Sequence, residues 1–251
     1  LKIEILPKFV DEAATPVAQS VGNSIAGVWN LVFGNHVSLW LKKQEVKHQR
    51  NYEDFVSRTN SKVESIPEEN LKEPEMYMIG PAIEASKYYI DSEELREMFA
   101  NLIAASVDSR INEKTHPSFV EIIKQLSPLD ALILKNFLIG EIYPIARIKV
   151  SNQVKSEYRI IYENIMEFTP KEDFEATISS ISNLQRLGLV VIDYNQYLTQ
   201  PFTYDYIEQS PAYLKSQEYI DDTFSKVDFN KGIISITPLG RNFVRTCCAN
   251  F

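Results

Sequence analysis

Apolar residues at 95, 98, 99, 102 and 103 lie on one helical stripe, spaced i, i+3, i+4, i+7, i+8. Ser92 stands before them as an N-cap, and Glu93 and Glu94 place negative charge in the first turn, where the helix dipole favours it. The same reading assigns a charged helix to Gln44–Lys62 and a surface connection to Ser65–Pro74. A helix over Pro81–Ile90 has its proline in the first turn. Thr115-His116-Pro117 opens a helix bearing Phe119, Ile122, Ile123 and Leu126, and Ser127-Pro128 starts another over Ala131–Phe137.

Beyond this point the period changes. Ile142–Val150 is β-prone, Tyr158–Met166 reads as a helix, and Thr169-Pro170-Lys171-Glu172-Asp173 starts the helix that runs through Ile178–Leu189. Gly188 ends that helix. Two β-rich runs follow, Val190–Tyr194 and Gly232–Ile236, the second closed by Thr237-Pro238-Leu239-Gly240-Arg241. Helix, strand, connection and strand in this order form a winged-helix pattern. Residues 196–227 exceed a simple wing tip, and a helix is expected from Ser210-Pro211 to about Phe224. The predicted fold class is mainly α: a helical domain over 1–126, then an α+β winged-helix-like domain over 127–251 with an insertion at 196–227 in its wing.

The N-terminal pattern has a second reading. Between Glu12 and Lys42 no Asp, Glu, Lys or Arg occurs, and Lys42, Lys43, Lys47, His48 and Arg50 follow at once. An uncharged helix beside a basic cluster suits a membrane surface, with Trp29, Phe33 and Trp40 as interfacial anchors once the helix is released. Polar interruptions from Gln19 to Ser38 deny it a spanning length. Val17, Val21, Ile25, Val28 and Val32 form one stripe, and small residues such as Ala18 and Gly22 admit a close neighbour, so burial in the helical domain is the main expectation.

Charge narrows the function classes. With 251 residues, 44% hydrophobic and 24% charged positions, the composition is that of a soluble globular chain, and the net charge of -8 repels polyanions as a whole. On the helix over 178–189 the candidate recognition face is Ser179, Ser182, Asn183, Gln185 and Arg186, with acidic residues outweighing Lys171 and Arg186 nearby. A protein contact is therefore expected there before DNA reading. Cys247 and Cys248 are adjacent and suit a reducing cytosol, and no secretory signal opens the chain, so a cytoplasmic location with membrane association as an option is expected.

Catalytic patterns are sparse. Gly22–Gly27 lacks the spacing and strand of a nucleophile elbow, and Glu45-Val46-Lys47 lies in a helix rather than in a nuclease sheet. His36, His48 and His116 have no Cys or His companions at zinc spacing, so neither a metal nor another cofactor is expected. Arg110 and His116, with five residues between them in a helical domain, resemble the pair of HEPN ribonucleases, where His serves as acid or base and Arg holds the phosphate. Nine arginines and three histidines produce such a spacing readily by chance, and His116 has an alternative in the helix start.

Ile79-Gly80-Pro81-Ala82, Tyr88-Tyr89, the run Glu94–Asp108 and the run His116–Pro128 resemble the abortive infection alpha family, as do the small-residue N-terminal helix and the closing Thr237–Val244. That resemblance implies bacterial phage defence and supplies no catalytic residues. It supplies no mechanism either; with no catalytic pattern in the residues, a non-catalytic protein that works through protein or membrane contacts is the expectation. A winged-helix DNA regulator and a HEPN-like ribonuclease are the competing readings; oligomeric state has no signature in the sequence.

Overall fold

The computed structural model describes residues 15–34, 46–152, 154–167 and 173–249. The chain divides between Ala131 and Leu132 into a helical unit and a sheet unit, and residues from Asn242 onward belong with the helical unit.

In the helical unit, α1 (Pro16–Trp29) starts as its sequence dictates: Thr15 caps it by accepting from the Ala18 amide, and Pro16 occupies the first turn. Its buried stripe is Ala18, Val21, Ile25, Val28 and Trp29, and a π-helical turn over Asn30–Gly34 carries Val32 and Phe33 inward. α2 (Val46–Glu64) turns Tyr52, Phe55, Thr59 and Val63 to the interior. α3 is Met76–Ser86, earlier than the expected Pro81 start, with Pro81 inside it. The ring removes one amide donor, but the carbonyl it would have served belongs to exposed Tyr77, while the extra turn buries Met78 and Ile79.

The central helix, α4 (Glu93–Ser106), is capped by Ser92, whose hydroxyl accepts from the Leu95 amide, and is buried from Leu95 onward apart from Glu97. Glu97 lies between Arg58 (2.7 Å) and Lys62 (2.7 Å) of α2, and Arg58 and Arg96 share the Asp54 carboxylate. Burial alone would raise the Glu97 pKa; its bonds to Lys62 and Arg58 outweigh that and hold it below 4.5. α5 (Ser118–Ile123) follows, and then α6 (Pro128–Asn136), within which the division of the chain falls. Ser127 and Asp130 cap α6 reciprocally, each side chain accepting from the other's amide, at 3.1 and 2.7 Å. The C-terminal segment completes this unit: Phe243 meets Phe119 edge to face at 5.2 Å, and Asn101 donates to the Cys247 carbonyl at 2.7 Å.

The sheet unit is a four-stranded antiparallel sheet of β1 (Ile142–Asn152), β2 (Glu157–Ile165), β3 (Val190–Asp193) and β4 (Lys226–Ile236), in the order β2-β1-β4-β3. β1 and β4 pair from Ile142↔Ser235 to Ser151↔Lys226 without a shift. The helix expected over Tyr158–Met166 is instead strand β2. Asn152 accepts from the Val154 and Lys155 amides, and that turn with Ser156 at φ 55° folds the chain back so that Tyr158, Ile160 and Tyr162 pair along β1. A hairpin, not the first helix of a helix-turn-helix, therefore precedes the next helix.

That helix, α7 (Phe174–Arg186), is capped by Asp173 and closed by Gly188 at φ 72°. The expected start at Thr169–Glu172 lies outside the described residues. α8 (Pro211–Ser216) is shorter than expected and passes into a 3-10 turn at Gln217–Tyr219 instead of continuing to Phe224. Thr237 ties strand end to helix end, donating to the Gly188 carbonyl at 2.6 Å and accepting from Gly240, the third residue of α9 (Pro238–Phe243). Only glycine fits at 240, since a Cβ there would stand 2.0 Å from the Leu189 carbonyl oxygen.

Candidate functional site

Trp29 and Phe33 are interior residues, 0% and 4% exposed. Trp29 stacks on Phe33 and on Phe55, each at 5.1 Å, and its indole donates to the Tyr52 hydroxyl at 2.8 Å. Burial pushes the Tyr52 hydroxyl up to about 12, against the opposing effect of the Trp29 bond. Interfacial anchoring by these two rings would require dismantling this cluster. Trp40 and the basic residues Lys42 and Lys43 lie outside the described residues. The outer side of α1 is held by polar contacts, with Ser20 and Ser24 donating to opposite oxygens of Glu73.

Arg110 and His116 are engaged separately. Asp108 is fully buried, and the Arg110 guanidinium forks onto it, Nε at 2.9 and 3.1 Å and Nη2 at 2.5 Å from its oxygens. That hydrogen-bonded contact raises the Arg110 pKa above its ordinary value. His116 Nδ1 accepts from the Ser118 amide at 3.1 Å and lies 2.7 Å from the Ser118 hydroxyl, the role of a helix-start residue. No hydrogen bond joins Arg110 to His116 among the described residues.

On α7, Ser179, Ser182, Gln185 and Arg186 are exposed and Asn183 is half-buried. The hydroxyls of Ser179 and Ser182 bond back to the helix carbonyls of Glu175 and Ile178, and Arg186 donates to the Asn183 amide oxygen at 2.7 Å. Arg186 is the single cation of this face among the described residues. Glu175, on the same helix, pairs with Lys215 at 2.8 Å. A surface with one cation, itself committed to a neighbour, provides little attraction for a phosphate backbone.

The best-built surface feature lies in the segment that the sequence marks as an insertion, 196–227. The connection from β3 to β4 is pinned to the sheet by tyrosines. Tyr194 donates to Asn164 Oδ1 and accepts from the Asn164 amide, both at 3.0 Å; Tyr204 donates to the Gly232 carbonyl at 2.7 Å; Tyr206 reaches the Ile165 carbonyl at 3.1 Å. Burial holds the Tyr194 hydroxyl at about 12 and pushes those of Tyr204 and Tyr206 up as well, so all three remain protonated donors at physiological pH. Tyr204, Ile207 and Ala212 join Ala146, Ile148 and Val150 in the core of the sheet unit. Phe202, between these anchors, is 83% exposed and left-handed at φ 66°. The recurrence of tyrosine at 194, 197, 204, 206 and 213 was the available sequence signal.

No group of three or more His, Cys, Asp or Glu side chains could hold a metal ion among the described residues, and no helix among them is long and apolar enough to cross a membrane. No curated protein and no solved structure matches the chain. The model of the family described as abortive infection alpha matches residues 47–247, a span that takes in the helical unit from α2 onward and the whole sheet unit, and the chain belongs to that family.

Proposed function

We propose that this protein acts in abortive infection, the disabling of a phage-infected bacterial cell, through macromolecular contacts and without catalysis of its own. Membership of the family supports the defence role. The contact mechanism is carried by one observation: Arg110 is the counter-ion of buried Asp108, and His116 serves its own helix start, so the pair that would cleave RNA is committed elsewhere. A protein surface is favoured over a membrane because the Trp29 and Phe33 rings are already buried against α2. DNA reading is disfavoured by the single cation among the described residues on the exposed face of α7 and by the strand that stands where a preceding helix is expected.

The test is expression in a phage-sensitive bacterium, with total RNA and chromosomal occupancy followed after infection. The contact reading predicts arrested growth of infected cells with intact RNA and no sequence-selective DNA occupancy. RNA fragmentation that disappears in His116→Ala would replace it with the ribonuclease reading; duplex binding lost in Arg186→Ala would replace it with the regulator reading.

A further inference from the structure

We propose that the loop 197–208 of the sheet unit is a docking element whose Phe202 ring enters an apolar pocket on a protein partner with a basic rim. The proposal rests on the contact reading above and names the surface and the chemistry of its partner.

Three observations converge on this loop. First, Phe202 costs the fold twice. Its ring is 83% exposed, so it contributes little to the core, and its left-handed backbone is unfavourable for a residue with a bulky side chain. Second, the loop is fixed on both sides of it. Thr203 donates to the Gln200 carbonyl (2.9 Å), the Asp205 amide to the Phe202 carbonyl (3.2 Å), and the Leu198 amide to the Tyr204 hydroxyl (3.0 Å), which itself donates to Gly232 of β4. Ile207 follows, fully buried. A ring presented on a loop already ordered loses little freedom on binding, which is the property of an anchor residue.

Third, charge selects the partner. From Asp193 to Leu214 the chain carries Asp193, Asp205 and Glu208 and no Lys or Arg. Lys231 of β4 comes over the rings of Tyr204 and Tyr197, at 5.2 and 6.0 Å, and Arg147 of β1, paired with Glu163 at 3.6 Å, over that of Tyr194 at 4.4 Å, so the three carboxylates still outnumber the cations beside them. Nucleic acid and anionic lipid headgroups are repelled by such a surface, whereas a protein pocket rimmed by Lys or Arg is steered to it. Exposed Tyr197 beside Lys231 adds apolar area to the same loop.

A photo-reactive benzophenone residue at position 202 of the full chain, irradiated in uninfected and phage-infected cells, identifies what the ring touches. The captured protein is then purified and titrated against the wild-type chain, Phe202→Gly, Phe202→Asn and Asp205→Lys/Glu208→Lys. Glycine and asparagine both tolerate the left-handed backbone, so the fold is retained, and unchanged circular dichroism confirms it. The expected result is a single protein partner bound at least about 10-fold more weakly by each variant, with wild-type affinity falling as salt rises. Equal binding by the ring-deleted variants, cross-linking confined to a second copy of this chain, to phospholipid or to nucleic acid, or no cross-link at all would overturn it. Because binding is read directly, loss of this surface is distinguishable from failure of the defence role.

Discussion

Two aromatic groups contrast in this protein. The rings of Trp29 and Phe33, at the end of α1 and in the turn after it, lie in a run of 29 residues without a charge that offers a membrane surface as the second reading beside burial, and they are packed against Tyr52 and Phe55. The ring at Phe202 lies in a polar turn that draws no attention in the sequence, yet it is held in solvent by a loop bonded on either side. The lesson is that aromatic content does not identify a contact surface. What identifies one is a ring whose exposure the fold maintains at a cost, and Phe202 meets that criterion where Trp29 does not.

The largest test of this contrast is Trp29→Ala. Deleting a fully buried indole that stacks on two rings should cost about 3–5 kcal/mol, read as a lowered denaturation midpoint with an accompanying loss of helix signal. A change of only a few tenths would show that the cluster is not part of the stable core and would revive the interfacial reading.

A smaller loss tests the ion-pair seam beside that core. Glu97→Gln should cost about 1–3 kcal/mol at neutral pH, since Glu97 is half-buried and bonded to both Arg58 and Lys62. The sign of its pH dependence follows from the lowered pKa. Its stabilisation is present above the ordinary carboxyl value of 4.5 and is lost as pH falls through the lower folded value. Acid titration of wild type and variant should therefore converge progressively as pH falls below 4.5 and through the lower folded value; a difference that grows on acidification would contradict this assignment.

The smallest effect has the opposite sign. Phe202→Gly should leave stability unchanged or raise it by up to about 1 kcal/mol, because glycine adopts φ 66° without the penalty that phenylalanine incurs and no core contact is removed. Calorimetry on the purified full chain checks it. A loss of 2 kcal/mol or more would mean that the ring supports the fold and is not reserved for a partner.

Much of the helical unit was legible because its signals are local. Ser92 caps where a hydroxyl side chain should, the stripe from Leu95 is interior, and Ser127 opens α6. The errors arise where long-range pairing decides. Tyr158–Met166 contains both helical and alternating patterns, and the strand wins because β1 offers an edge and Asn152 turns the chain back onto it. Pro81 stands within a helix because the apolar residues before it gain more by burial than one missing amide bond costs. At the candidate sites, spacing placed Arg110 near His116 along the chain but carried no information about Asp108, whose burial commands the guanidinium. Tyr204 and Tyr206 find their acceptors on strands 28 and 41 residues away in sequence, which no local pattern announces.

The central claim is that contact, centred on an exposed ring, takes the place of catalysis. The most direct measurement is phage protection by His116→Ala and Phe202→Gly, expressed side by side at equal level and both folded. The account predicts full protection by His116→Ala and its loss in Phe202→Gly. Full protection by Phe202→Gly together with its loss in His116→Ala would contradict it.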